Sequence, residues 1–542
     1  MLGFVLLGVL SYAQGAAQER GFFKTYASGD NRFRLSTSVE TEDGGFIVAV
    51  NDDLYGSGYS GCAKLFKLSA EGDSIAQVTI DDSDKFCLLT NIFRHPSGHD
   101  TFIGTGLYVF QDTVPSRYFA KPYLIQFDGQ LNITLRKQIE WPDEFRNTNA
   151  YIPKTILNGN RTLFGEYIVY TPGTPPYDYR RLFTEMTLDG DILRIVEDMH
   201  DVQPSGCAPD GFFEYPSARQ MGSFRYGFVE EGNASAGKVH KLFRLNNDDM
   251  VAEYLNELDR FGNDTVSFDT SYYYYISTGY NMLDQSATTI IPLSDTSLLF
   301  SMEAEEFWYT WQPPHVDTNF WDHSAVIFKT DGQGNMQQYS FVGSFNDTIE
   351  QTPRTSIAAT KGGPSGQRDI FHCCYSVYDY TWETPNTLTV TDFTSDLEIK
   401  WRKTFTVPGL YLEPHHLITT SDGGCLVVGS VTRGFNPPYS FGTRVEWFAL
   451  KLNADGTVST EEIIVKDEMA VYPNPVREQA HILYPASANP ALVELYDLQG
   501  RLVRSQGNAF ESFDMSQLPT GAYTLRVTMD DGQVFSDKVV KE

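Results

Sequence analysis

The chain has 542 residues, which is more than one hydrophobic core usually organises, so at least two domains are expected. Hydrophobic residues make up 41% and aromatic residues 14%, a composition that predicts a folded, β-rich protein. With 70 acidic and 41 basic side chains, the formal charge is −29. Because such a surface repels phosphate backbones, the charge excludes nucleic acid as a partner.

The first ten residues form an apolar run that is too short to span a bilayer. Small residues at Ser11 and Ala13 match the positions that a signal peptidase reads, which places cleavage before Gln14. The basic residues that usually begin such a segment are missing. We therefore predict a signal peptide in residues 1–17 and an exported mature chain.

A short pattern recurs between residues 18 and 465. A glycine-containing turn leads into an apolar strand, and after a variable loop a second strand ends in a polar turn. The two clearest copies begin with TEDGGFIVAV at 41–50 and TSDGGCLVVG at 420–429. Asp-Gly supplies the positive φ angles of a tight turn, and the β-branched or aromatic run after it favours an extended backbone.

Weaker copies of the second strand occur between these two ends, at 123–129, 183–190, 241–247, 325–332 and 388–393. With the first and last copies they give seven units spaced by about sixty residues, with one longer interval. Several strands per unit and almost no helical periodicity are typical of propeller blades. We therefore predict an all-β protein with a seven-bladed β-propeller over residues 18–465. Stacked β-sandwiches are the alternative.

Residues 466–542 predict about seven short strands separated by Gly, Pro and Asp turns, which fits a small Ig-like β-sandwich. Three blocks stand out: VYPNP at 471–475, VELYDLQGRLV at 493–503 and LPTGAYTLRV at 518–527. In this order they resemble the type A C-terminal sorting domain of the Bacteroidetes type IX secretion system. The landmarks of that family fall on Pro473, Asn474, Pro475, Gly500 and Gly521.

This resemblance implies that the type IX translocon and its outer-membrane shuttle are partners. The chain would reach the outer cell surface or the extracellular space through the periplasm, with attachment to surface lipopolysaccharide as a further implication. Four tripeptides resemble the Asp-Ser/Thr-apolar O-glycosylation sites of exported Bacteroidetes proteins. Their acceptor residues are Ser74, Thr113, Thr265 and Thr348.

An insertion in the longest repeat is the candidate ligand surface, because aromatic rings stack on sugars and anchor protein interfaces. Its tryptophans surround a Pro-Pro pair, which predicts a loop at the rim of the ring. The candidate ligand-binding residues are Trp308, Trp311, Trp321, His315 and His323. The histidine spacing matches no metal-ligand motif, so we predict neither a metal nor a cofactor.

The sequence carries no nucleophile elbow, no zinc-protease motif and no phosphate loop. The predicted function is therefore a secreted or surface-attached, non-enzymatic propeller that binds a glycan or a protein. Propellers can host active sites without short motifs, so a hydrolase or lyase acting on polysaccharide or peptide is the alternative.

Of six cysteines, Cys62 and Cys87 form the nearest separated pair and the predicted disulfide.

Overall fold

The computed structural model describes most of the chain between residues 21 and 541. The described residues are 21–27, 33–52, 63–80, 86–98, 100–111, 118–145, 148–158, 161–170, 179–198, 219–221, 224–233, 237–246, 250, 252–257, 270–276, 290–294, 297–312, 315–316, 320–342, 356–359, 370–376, 387–407, 410–433, 445–458, 464–467, 470–472, 474–483, 490–507, 512–530, 532 and 534–541. Within them lie strands, turns and one 3-10 turn at Asp143–Phe145. No helix in this part of the chain is long and apolar enough to cross a membrane. The predicted signal peptide lies outside the described residues.

The strands are numbered in chain order. They are β1 Phe22–Tyr26, β2 Phe33–Glu40, β3 Phe46–Asp52, β4 Ala63–Leu68, β5 Ser74–Ile80, β6 Phe86–Arg94, β7 Thr101–Gln111, β8 Tyr118–Asp128, β9 Ile133–Gln138, β10 Asn149–Asn158, β11 Thr162–Tyr170, β12 Tyr179–Thr187, β13 Ile192–Asp198, β14 Arg219–Met221, β15 Phe224–Asn233, β16 Gly237–Asn246, β17 Ala252–Glu257, β18 Thr270–Ile276, β19 Ile290–Ser294, β20 Ser297–Gln312, β21 His315–Val316, β22 Phe320–Asp331, β23 Met336–Val342, β24 Ser356–Ala359, β25 Ile370–Ser376, β26 Thr387–Phe393, β27 Ile399–Thr406, β28 Leu410–Thr419, β29 Cys425–Arg433, β30 Val445–Leu452, β31 Ile464–Asp467, β32 Ala470–Tyr472, β33 Gln479–Leu483, β34 Pro490–Asp497, β35 Leu502–Gln506, β36 Ser512–Asp514, β37 Gly521–Met529 and β38 Val534–Lys541. The all-β prediction is confirmed.

In the described residues, the first thirty-one strands form seven antiparallel sheets. Sheets 1 to 4 each contain four consecutive strands, beginning with β2, β6, β10 and β14. Sheet 5 has the order β18-β20-β22-β23, with β19 and β21 also paired to β20. Sheet 6 has the order β24-β25-β26-β27-β31, and sheet 7 has the order β28-β29-β30-β1. The first strand of the chain therefore completes the last sheet.

Strands at the edges of neighbouring sheets contact one another. Among the described residues, β2 contacts β6, β6 contacts β10, β14 contacts β19, β19 contacts β24, β24 contacts β28, and β28 contacts β2 again. The last of these contacts brings sheets 7 and 1 together, although they lie at opposite ends of the repeat region. Sheets 1 to 3 therefore pack side by side in chain order, as do sheets 4 to 7, and the first sheet packs beside the last.

Apolar clusters fill the spaces between adjacent sheets. One cluster joins Phe46, Val48 and Phe66 of sheet 1 to Trp447 and Val428 of sheet 7. Further clusters lie between sheets 1 and 2, 2 and 3, 5 and 6, and 6 and 7. Because successive residues of a strand face opposite sides, β3 and β4 each supply apolar side chains to two clusters. This explains why β3 reads as a nearly continuous apolar run.

A tight turn with the same hydrogen bonds follows the third strand of several sheets. In sheet 1 the Ser69 N–H donates to Asp73 O over 2.8 Å, and the Gly72 N–H donates to Ser69 O over 3.0 Å. One residue after each third strand has positive φ. These residues are Gly72, Leu131, Gly190, Met250, Gly334, Leu397 and Gly456, which are spaced by about sixty residues apart from one longer interval.

Three of these seven positions hold a large apolar residue where glycine would be expected. Leu131, Met250 and Leu397 are all buried, and the two leucines belong to clusters between sheets. A left-handed backbone costs a non-glycine residue about 1–2 kcal/mol, whereas burying such a side chain contributes about 1.5–3 kcal/mol. Burial therefore offsets the strain, and the repeat conserves a backbone conformation without conserving a residue type.

The two Asp-Gly-Gly turns have matching geometry. In each, a threonine hydroxyl and a glycine N–H donate to the aspartate, as in Thr420 and Gly424 to Asp422. A buried lysine from the third strand completes the pair, with Lys451 Nζ 2.9 Å from Asp422 Oδ2 and Lys67 Nζ 3.6 Å from Asp43 Oδ2. The similarity of the first and last sequence copies is therefore a similarity of one hydrogen-bonded turn.

The last seven strands form two sheets, with the orders β32-β33-β36 and β35-β34-β37-β38. A shared apolar core lies between them and includes Val493, Leu495, Phe513, Leu525 and Val539. The predicted run of about seven short strands in this region matches the seven strands found among its described residues. We refer to residues 470–542 as the C-terminal domain.

The join between the two regions is a strand. Residues Ile464–Asp467 form β31, which pairs antiparallel with β27, with Phe405 opposite Val465. The predicted domain boundary between residues 465 and 466 therefore falls inside a strand of sheet 6. Two residues, 468 and 469, separate β31 from β32.

Candidate functional site

Asn474 is a buried landmark of the C-terminal domain. Its side chain is buried, its amide group donates to Lys538 O over 2.9 Å, and its oxygen accepts from the Val540 N–H over 2.9 Å. The next peptide bond, to Pro475, is cis. Val476 continues the contact, because its N–H donates to Val540 O over 2.7 Å. Asn474 thus fixes the start of the domain against β38; Pro473 lies outside the described residues.

The glycine landmarks lie at turns. Gly500 has a φ of 73° and ends a turn in which the Asp497 carboxylate accepts from the Gln499 and Arg501 N–H groups. Gly521 has a φ of 153° at the start of β37. A Cβ at either position would meet no atom within 4 Å. Glycine is therefore required at these positions by backbone conformation, since packing leaves room for a side chain.

A cluster of polar side chains lies on β28, the edge strand of sheet 7 that contacts sheet 1. The Ser38 N–H on β2 donates to His416 Nδ1 on β28 over 3.1 Å, and the Ser38 hydroxyl lies 3.0 Å from the same nitrogen. Because an amide N–H can only donate, His416 Nδ1 acts as the acceptor and the neutral ring carries its proton on Nε2. This contact links residues from the two ends of the repeat region.

A second set of hydrogen bonds lies next to it on the same strand. Ser430 Oγ on β29 is 3.1 Å from Glu413 Oε2 and 3.0 Å from His415 Nε2. Since the carboxylate accepts, Ser430 donates to Glu413 and accepts from the His415 N–H. A bulge between Pro414 and His416 allows both His415 and Glu413 to reach Ser430.

This arrangement differs from a serine nucleophile site. In a catalytic triad the carboxylate orients the histidine, and the histidine contacts the serine hydroxyl. Here the carboxylate and the histidine both contact Ser430, which is only 6% exposed. Ser430 therefore orients Glu413 and His415, whose side chains are half-buried. No group of three metal-ligating side chains occurs among the described residues.

The aromatic insertion forms strands, which corrects the expectation of a rim loop. Trp308 and Trp311 lie on β20, the longest described strand, and Trp321 lies on β22. The register pairs Trp308 with Phe320 and Phe307 with Trp321. His315 lies opposite Gln312, and His323 lies opposite Glu305. The candidates thus share one extended hairpin of sheet 5, and their role in binding stays a prediction.

Other predicted positions are partly described. Ser74 is exposed at the start of β5, beside Asp73, which forms an ion pair of 2.5 Å with Lys24. Thr113, Thr265 and Thr348 lie outside the described residues.

Cys87 is fully buried near Tyr123, and Cys62 lies outside the described residues, so the Cys62–Cys87 disulfide stays a prediction. Cys373 is also fully buried.

Residues 470–542 match the family model of the secretion system C-terminal sorting domain. The chain therefore ends in a type IX sorting domain, and the recognition made from the sequence is confirmed. The match implies export to the cell surface or the extracellular space and an interaction with the type IX machinery. No curated protein sequence matches the chain.

Several solved structures match the chain at low sequence identity and with low TM-scores. The Bombyx mori GH32 β-fructofuranosidase has a TM-score of 0.34 and 11% identity, covering 83% of this chain and 93% of that chain. The β-propeller domain of the trilobed protease from Pyrococcus furiosus has a TM-score of 0.32 and 8% identity, covering 80% and 100%. The plexin A4 extracellular region has a TM-score of 0.36 and 10% identity, covering 96% and 67%. Scores this low assign no activity to this chain.

The sequence alone did not indicate the cluster of polar side chains on β28. Glu413, His415 and His416 were visible as a charged interruption of an apolar strand, but only the contact between β28 and β2 brings Ser38 to them. The proline between Glu413 and His415 was the available signal, because proline inside a strand indicates a bulge or an edge.

Proposed function

We propose that sheets 1 to 7 are the blades of a closed, seven-bladed β-propeller, exported by means of its Ig-like C-terminal domain, that binds a glycan or a protein outside the cell. The pairing of β1 with β30 carries the propeller assignment. A last blade completed by the first strand, with β28 of that blade in contact with β2 of the first, is how a propeller closes without leaving open sheet edges at the junction.

The match of residues 470–542 supports the export part of this proposal. The proposed partners are the type IX translocon, its outer-membrane shuttle and a surface lipopolysaccharide anchor. The chain would meet them after it has passed through the periplasm. Deleting residues 471–542 should leave the seven sheets folded and retained in the cell. Secretion of the truncated chain into the medium would contradict the proposal.

The aromatic hairpin of sheet 5 is the proposed ligand surface. Trp308, Trp311 and Trp321 lie within two paired strands that continue beyond the part of β20 paired with β19. Changing Trp308 and Trp311 to Ala should reduce retention on a glycan array at least tenfold with the melting temperature unchanged. Leu193→Ala, which truncates an exposed side chain on β13, is the matched control. Unchanged binding by the tryptophan variant would remove the hairpin from the site.

Glu413, His415 and His416 favour the second candidate function, a hydrolase or lyase acting on polysaccharide or peptide. They place one carboxylate and two imidazoles on an inner strand, where a proposed central channel would expose them. Turnover of a substrate panel by the purified chain, abolished in Glu413→Gln, would establish this function. Absence of turnover across the panel, combined with glycan retention, would favour binding.

Glycosylation of the exported chain is proposed at Ser74, whose exposure leaves its hydroxyl accessible. Intact-mass and peptide analysis of the secreted protein should find a glycan on the Ser74 peptide that is lost in Ser74→Ala. Thr113, Thr265 and Thr348 can be tested in the same experiment. An unmodified Ser74 peptide in secreted protein would contradict the assignment.

A further inference from the structure

The sorting domain has almost no tether of its own. β31 ends at Asp467, and β32 begins at Ala470. Consecutive Cα atoms are about 3.8 Å apart, so this segment spans about 11 Å at most. The four residues of β31 are held in sheet 6, opposite Thr406, Phe405, Thr404 and Lys403. As long as β31 stays paired, the sorting domain must remain next to sheet 6.

Side chains also join the two regions. Arg402 Nη1 on β27 lies 4.0 Å from Asp537 Oδ2 on β38, with side-chain exposures of only 3% and 6%. β27 also contacts β32 and β33. Opposite charges attract more strongly when they are withdrawn from water, so this pair holds the sorting domain against the sheet. Removal of one partner would leave the other charge buried without this opposite charge beside it.

β31 is built to separate more easily than the strands beside it. It is an edge strand of four residues, paired on one side only among the described residues. β27, by contrast, pairs with β26 over six register positions and buries Phe405 in the cluster between sheets 6 and 7. Short edge strands with few buried contacts open at lower free energy than core strands.

We propose that β31 is a releasable strap that controls access to the sorting domain and to the join. In the closed state the sorting domain is docked on sheet 6 through β31 and the Arg402–Asp537 pair. When β31 leaves β27, the sorting domain is no longer held beside sheet 6 by this pairing, and Lys466 becomes an accessible site for a protease. This inference does not depend on which ligand the seven sheets bind.

Trypsin provides a direct probe, because Lys466 lies inside β31 and proteases cut extended, unpaired backbone. The purified full-length chain should resist cleavage after Lys466 in its native state. Arg402→Met should accelerate that cleavage at least tenfold while the denaturation profile of the seven sheets is retained. Arg504→Met is the matched control, because the Arg504–Asp514 pair of 3.3 Å lies wholly within the sorting domain. Its cleavage rate should equal that of the wild type.

Asp537→Asn approaches the pair from the other side and should give the same acceleration, with the double variant no faster than the faster single variant. Native hydrogen exchange adds a measurement that needs no variant: the amides of β31 should exchange before those of β26. Exchange of β31 together with β26, or rapid cleavage after Lys466 in the wild type, would overturn the proposal. So would wild-type cleavage rates in both folded variants.

Discussion

The two ends of the repeat region are attached to it in different ways. β1 joins β30 through five register pairs and buries Phe22 and Phe23 in clusters between sheets. β31 joins β27 through four pairs and adds a strand at an edge. The first attachment is part of the apolar core, and the second is made at the edge of a sheet. The first should therefore be needed for folding, while the second can separate from a folded protein.

The most severe test of this contrast is Trp447→Ala. Trp447 is 1% exposed, stacks on Tyr26 at 4.0 Å and lies 5.0 Å from Phe66, so it links β1, β30 and sheet 1. Truncation should lower the free energy of unfolding by about 3–5 kcal/mol. Denaturant unfolding followed by circular dichroism measures it. Leu502→Ala truncates an exposed side chain of β35 and should leave the unfolding transition unchanged. Equal losses of unfolding free energy in the two variants would contradict the assignment of β1 to the apolar core.

Asp422→Asn tests the turn that holds sheet 7 together. It leaves the Lys451 ammonium group buried without its carboxylate, which should cost about 2–3 kcal/mol at pH 7. Asp43→Asn is the matched variant in sheet 1. Its pair with Lys67 is longer, at 3.6 Å, so a smaller loss is expected. A larger loss at Asp43 would contradict the geometric ranking.

The same pair of variants has a defined pH dependence. Burial alone would raise the pKa of Asp422, but hydrogen bonds from Thr420, Lys451 and the Gly424 N–H outweigh it, so the pKa is lowered. A lowered carboxyl pKa contributes stability that is fully present above about pH 4 and is lost as pH falls through the folded-state value. The difference between wild type and Asp422→Asn should therefore shrink on acidification below that pH. A difference that grows would contradict the assignment.

Asn474→Ala separates the sorting domain from the seven sheets. It removes two hydrogen bonds to β38 and leaves a backbone carbonyl and N–H without their partner, at a cost of about 2 kcal/mol. Scanning calorimetry should show a lower transition for the sorting domain and an unchanged one for the sheets. Secretion should fall in parallel. A shift of both transitions would mean that the two regions unfold together.

The smallest expected effect is that of Gly500→Ala. The left-handed backbone at this turn costs an alanine about 1 kcal/mol, and no atom blocks the added methyl group. Gly72→Ala is the contrasting variant, because a Cβ there would overlap the Phe22 ring of β1. Thermal denaturation should show a larger loss for Gly72→Ala. Equal losses would mean that backbone strain, and not packing against β1, dominates at both sites.

The repeat was predictable because Asp and Gly report directly on turn conformation. Gly72 and Gly456 follow strands whose sequences also match, so the first and last sheets were visible. Leu131, Met250 and Leu397 hide the same turn, because burial between sheets replaced the glycine that a sequence search expects. Secondary structure within the C-terminal domain was accurate for a similar reason: Pro, Gly and Asp separate its strands.

The features that sequence could not supply depend on contacts between distant segments. The hydrogen bond from Ser38 to His416 requires sheet 7 to lie beside sheet 1. The pairing of β31 with β27 depends on an available sheet edge, which the composition of a four-residue charged segment does not reveal. The aromatic insertion was misjudged because its Pro-Pro pair indicated a loop, whereas the tryptophans on either side extend two strands.

The pairing of β1 with β30 also has a kinetic consequence. Phe22 pairs with Lys451, so the first strand must wait until a partner about 430 residues later in the chain is present. The hairpins within each sheet need only short loops and can form early, whereas this last pairing closes the longest loop in the repeat region. Refolding of the full chain should therefore end in a slow phase that reports burial of Trp447. Partly made chains will carry β1 as an unpaired apolar strand until the seventh sheet has been synthesised.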